Sequence, residues 1–87
     1  MSQNTQAPAF FTVSSGQTLT LTLCRSISIL ASGGAVTVVN SGGQTMNIPD
    51  ATTIDIQADT GNTLSTITVS PTSVALVVML GGQGVIS

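Results

Sequence analysis

The sequence predicts an all-β domain: a small antiparallel β-sandwich or jelly-roll-like barrel of about seven or eight short strands, with an extended N-terminal arm. Apolar and polar residues alternate with period two in segment after segment. Clusters of Gly, Ser, Asn, Asp and Pro interrupt that alternation about every 8–12 residues, and no window repeats its apolar residues at helical spacing. The 87 residues suit one domain, because a second core would have too little chain to close around it.

Residues 1–9 are polar, contain Pro8 and show no periodicity, so they read as the arm, with the domain spanning residues 10–87. The pattern changes at Phe10 and Phe11, the only aromatic residues. After a turn signal at Ser15-Gly16, the stretch Q-T-L-T-L-T-L-C (residues 17–24) alternates strictly. Leu19, Leu21 and Leu23 are thereby predicted on one strand face and Thr18, Thr20 and Thr22 on the other. Helical winding would scatter those leucines. The same grammar recurs at Ile27 and Ile29, Val36 and Val38, Met46 and Ile48, Ile54 and Ile56, and Ile67 and Val69. Turn signals separate them at residues 32–34, 40–43, 49–50, 59–62 and 70–71.

Residues 26–34 and 53–61 share hydroxyl, Ile, Ile, Ala and Gly at equivalent places, 27 positions apart. Two readings stand: two similar hairpins facing one another across a core, or chance likeness in a chain built from few residue types. Val74–Leu80 departs from alternation by being apolar on both faces, so it requires cover on both sides. One cover is the core; the other is a neighbouring chain or the arm with its phenylalanines. Gly81, Gly82 and Gly84 then end that strand, leaving residues 85–87 as a short terminal strand or tail.

Composition removes most functions. Arg25, Asp50, Asp55 and Asp59 are the only charged side chains, 5% of the chain against about 25% in ordinary soluble domains. The 14 threonines and 11 serines supply the polar surface instead. A surface of hydroxyls lies against another protein without the cost of desolvating ions. Without His, Glu, Lys or Tyr, neither proton transfer nor activation of a serine has a partner, so no enzyme is expected. Cys24 stands alone and is read as a small buried hydrophobe, with intermolecular pairing as the alternative. No metal or other cofactor is expected: a single thiol makes no zinc site, and the aspartates lack the spacing of a calcium loop. Asp50 and Asp59 read as turn residues, and Asp55 as the solvent side of a strand. Nucleic-acid binding lacks its cations, with a net charge of −2. No apolar run approaches the roughly 20 residues of a membrane helix, and the first residues lack the basic and apolar regions of a secretory signal.

The polar arm, the Thr/Ser/Gly-rich β body, the scarcity of charge and the cadence I-S-I-L-A-S-G-G-A-V-T-V-V followed by M-N-I-P-D-A-T-T-I-D-I together resemble small bacteriophage virion structural proteins of the capsid decoration or cement type. The resemblance is one of style over most of residues 10–80 and carries no diagnostic motif. It implies a non-enzymatic subunit located in the virion and made in the host cytoplasm. Its implied partners are the major capsid protein or other virion proteins, and its own copies, a homotrimer being favoured; neither nucleic acid nor membrane is implied. A tail or fibre component and a carbohydrate-binding or adhesive β-domain are the alternatives, the latter weakened by the absence of Trp and Tyr. The residues expected to meet partners are Phe10 and Phe11, ordered with residues 1–9 on contact with a neighbour; Val74, Leu76, Val78 and Leu80 on the two-faced strand; and Arg25 as an interface or strand-end contact.

Overall fold

Alternating side chains dictate paired strands with one face inside, and the computed structural model, which describes residues 8–87, consists of nine such strands and no helix among those residues. In chain order they are β1 (Pro8–Ser14), β2 (Leu19–Thr22), β3 (Ser26–Ser32), β4 (Val36–Asn40), β5 (Thr45–Ile48), β6 (Thr53–Gln57), β7 (Ile67–Pro71), β8 (Val74–Leu80) and β9 (Gln83–Ile86). The expected arm therefore ends two residues early, since Pro8 and Ala9 belong to β1 and pair with Leu80 and Met79. The rest of the arm lies outside the described residues.

Two antiparallel sheets result, ordered β1-β8-β3-β6 and β5-β4-β7-β2-β9. Strands pair as β1 with β8, β2 with β7, β3 with β6 and β4 with β5, which is one long hairpin wound upon itself. That winding is a jelly roll. The chain changes sheet at every connection except the β4–β5 hairpin, whose turn is closed by Asn40 accepting the Gly43 and Gln44 amides through its carbonyl and side chain. The ninth strand, beyond the seven or eight expected, is the C-terminal segment: β9 pairs with β2 and lengthens the second sheet.

The inward residues of both sheets form one cluster, with Leu19, Leu21, Ile29, Val36, Ile48 and Val69 fully enclosed. Burial of each such side chain stabilises by about 1.5–3 kcal/mol. Gly82, at φ +72°, lets the β8–β9 turn seat against the backbone of Leu23 and Cys24, where a Cβ would overlap main-chain atoms. That seating explains a departure from strict alternation. β2 stops at Thr22; Leu23 adopts φ +58° and is 62% exposed, while Cys24 takes the buried place predicted for Leu23.

The repeat also resolves differently. The two Ile-x-Ile segments are β3 and β6, lying side by side in one sheet with Ile27 opposite Ile56 and Ile29 opposite Ile54. They do not face one another across the core. Their likeness reflects a shared role, each presenting Ile inward, with mainly polar residues outward apart from Leu30 of β3.

Candidate functional site

β8 shows why its sequence is apolar on both faces. Ala75, Val77 and Met79 point into the core, whereas Leu76, Val78 and Leu80 point out and are exposed, with Val74 half-buried at the strand's start. The register sets Phe10 of β1 opposite Val78 and Thr12 opposite Leu76. On the other flank Leu30 of β3, half-buried, stands opposite Leu76. Phe10 is 74% exposed. Among the described residues, half of the eight exposed large hydrophobics therefore gather on the outer face of one sheet, around β8 and β1.

The opposite outer face serves as an internal comparison. There Thr20 of β2 stands opposite Thr68 of β7, and Thr37 of β4 opposite Ser70. The outer face of the second sheet is mostly hydroxyl, with Val39 half-buried on it and Val85 exposed at its β9 margin opposite Thr20, whereas the first sheet carries a contiguous apolar strip. Scattered exposed hydrophobics are ordinary on a protein surface, but contiguous ones mark interaction sites.

The structure divides the sequence-predicted residues. Phe10, Leu76, Val78 and Leu80, with Val74, share the strip. Phe11 does not: it points inward, packs against the core cluster, and its ring would stand 2.6 Å from a Cβ placed at Gly84 of β9. The expectation that a neighbour meets Phe10 and Phe11 together runs against the strand geometry, because successive residues of a strand face opposite ways and Phe11 is half-buried against its own chain's core. Arg25 sits at the Leu80 end of the strip and not within it. Its backbone N–H donates to the Leu80 carbonyl (2.8 Å), its side chain lies over Gly81, and it lines a groove with Asp59 and Asn62 at that end of the sandwich.

The sheet's two edges differ. At the β1 edge, Ser14 directs its N–H to the Gln17 Oε1 (2.9 Å) and its carbonyl to the Gln17 N–H (3.0 Å), turned away from β8. By the two-residue period, the N–H and C=O of Phe10 and Thr12 also point away from β8. At the β6 edge, Ala58 donates to the Arg25 carbonyl and Ala31 to the Thr52 carbonyl, both 3.0 Å or shorter, so even-numbered residues face β3. The outward set is centred on Asp55, whose Oδ1 accepts the Ser28 hydroxyl at 2.6 Å. A charge in mid-edge discourages strand addition. β1 has none.

Sequence reasoning missed one feature, a cavity of about 420 Å³ between the β5 and β6 edges, lined by Met46, Ile56, Leu64 and Ile67 with Asn40 and Gln44 at the rim. Nothing in the sequence signals it, since the cavity arises where the short edge strands β5 and β6 belong to different sheets and leave Met46 and Ile56 incompletely buried. Asn40 Nδ2 donates to Gln44 Oε1 (3.0 Å) and Asn40 Oδ1 accepts two hairpin amides, so these polar groups hold the turn together. No aromatic ring lines it.

Cys24 is enclosed, with Sγ 3.8 Å from both Met79 Sδ and the Thr22 carbonyl, and burial pushes its thiol pKa up. Asp50 accepts the Gly33 amide (2.8 Å) and ties two crossover loops together. Asp59 opens a turn closed by the Asn62 amide. Among the described residues no three His, Cys, Asp or Glu side chains converge. Comparison with models of known protein families, with curated proteins and with solved structures finds no match for this chain.

Proposed function

We propose that this chain is a non-enzymatic structural protein of a virus particle, a decoration or cement subunit that docks on the outer shell through the β1–β8 face. The observation that carries the reading is the apolar strip of Phe10, Leu76, Val78 and Leu80 on a sheet otherwise finished for water. A sheet face that is apolar on its solvent side costs solubility unless a partner covers it, and about 0.8 kcal/mol per buried methylene is returned when one does. The near absence of ions suits the same role, since the interface forms with no charge to desolvate. A four-stranded and a five-stranded sheet wound as a jelly roll are an architecture close to that of viral capsid and lectin domains, which adds support by analogy of fold alone. Between those two, the ring-free, amide-satisfied cavity favours the particle over a sugar. The test is fractionation of intact particles from cells producing the chain: fixed stoichiometry through successive gradients is expected. Recovery of the chain solely in the soluble fraction overturns the reading.

A further inference from the structure

Among the described residues the outer edge of β1 is unpaired, and it has a symmetry that its sequence imposes. Pro8 has no N–H to offer at one end, and at the other the Ser14 N–H is taken by Gln17 Oε1. Between them, the outward donors and acceptors are those of Phe10 and Thr12, placed symmetrically about Phe11. Antiparallel pairing of two identical strands about a two-fold axis needs such a set: Phe10 of one copy exchanges both hydrogen bonds with Thr12 of the other, and the reverse.

We propose that a second copy of this chain adds to the β1 edge in this register, joining two four-stranded sheets into one of eight strands. The inference rests on the reading of the β1–β8 face as an interface, and it names the first partner of that face.

Two observations select a second copy. The register places Phe10 of one copy in the row of Thr12 and Leu76 of the other. The two apolar bands then meet across the axis with Thr12 alone between them in each row, and the open flank of the more exposed aromatic ring gains a neighbour. Charge decides between the sheet's edges: self-pairing at β6 would centre on Asp55 and bring two carboxylates together, whereas every residue of β1 is uncharged. At the same lateral edge of the sandwich β9 runs beneath β1, where Gly84 meets Phe11, while Val85 turns to the outer face of the other sheet opposite Thr20. Pairing at β1 therefore also brings the two β9 edges toward each other. The geometry favours a two-fold contact over the three-fold assembly that the resemblance implies.

The experiment is light scattering on the purified full chain at micromolar concentration, with three variants. The wild type is expected at twice the chain mass of 8.7 kDa. Thr12→Pro removes an outward N–H while leaving the β1–β8 ladder intact, as edge prolines do. Phe10→Asp puts charges beside the axis at an exposed position that folding does not require. Both are expected to halve the mass with an unchanged circular dichroism spectrum. Thr53→Pro, which removes an outward N–H from the β6 edge, is expected to leave the mass doubled. A wild-type monomer, a trimer, or a dimer that survives both β1 substitutions overturns the proposal. A monomer that still co-purifies with particles overturns the edge pairing alone, and a dimer never found on particles overturns the functional reading alone.

Discussion

Val77 and Val78 are neighbours in sequence and chemically identical, yet the structure assigns them opposite consequences. Val77 is 1% exposed, facing Phe11 and Ile29 across the ladders, and Val78 lies on the outer face between Phe10 and Ser28. Val77→Asp loses about 1.5–3 kcal/mol of side-chain burial. It also forces a carboxyl into the core, where staying neutral requires a pKa raised by about 3–5 units, or about 4–7 kcal/mol. The sum, about 6–10 kcal/mol, is comparable to the whole stability of about 4–13 kcal/mol expected for a chain of this length. Val78→Asp loses part of one side chain's burial and some strand preference, at most about 2 kcal/mol. Its nearest acid, Asp55, lies two strands away, about 10 Å, where salt screens the repulsion. Urea titration followed by far-ultraviolet circular dichroism measures both. Val77→Asp is expected to be unfolded without urea and Val78→Asp to retain a cooperative transition near the wild-type midpoint. Similar midpoints for the two variants, or unfolding of Val78→Asp, would refute the assignment of faces.

Other consequences follow from the same packing. Gly82→Ala meets both left-handed strain and main-chain overlap with Leu23 and Cys24, whereas Gly16→Ala, at φ +86° with nothing within 4 Å, meets strain alone; losses of about 2–5 and about 1–2 kcal/mol are expected from thermal melts. Ile29→Ala, in a fully enclosed site, is expected to cost about 2–5 kcal/mol by urea titration. The buried Cys24 is expected to resist a thiol reagent at neutral pH until the chain is unfolded, which a labelling time course checks. Because burial raises its pKa in the folded state, the stabilising contribution is complete below about pH 8.5 and falls as pH rises above that. With no Lys or Tyr in the chain, stability measured against alkaline pH reports this thiol without interference from other side chains.

The fold was legible where alternation is strict. Leu19 and Leu21, Ile27 and Ile29, Val36 and Val38, and Ile67 and Val69 all sit inside as their period requires. Leu23 escaped because the seat that Gly82 makes for the β8–β9 turn is a contact of distant residues, and it ends β2 one residue before the pattern does. Topology escaped for the same reason. Gly-rich segments such as residues 32–34 read as hairpin turns, yet they carry the chain from one sheet to the other, and nothing local distinguishes the two uses. The apolar outer face was legible in Val74–Leu80, whose run leaves no polar side. Its extension to Phe10 and the exclusion of Phe11 needed the register, which only the paired strand supplies.

The proposed docking of this chain on a virus particle through the β1–β8 face is tested most directly by incorporation of two charge variants at matched expression. Val78→Asp charges the apolar strip, and Thr20→Asp charges the outer face of the other sheet, between Thr68 and Val85. Particles are expected to carry Thr20→Asp at wild-type stoichiometry and to lack Val78→Asp. Particles carrying Val78→Asp at full stoichiometry, or losing both variants equally, would contradict the account.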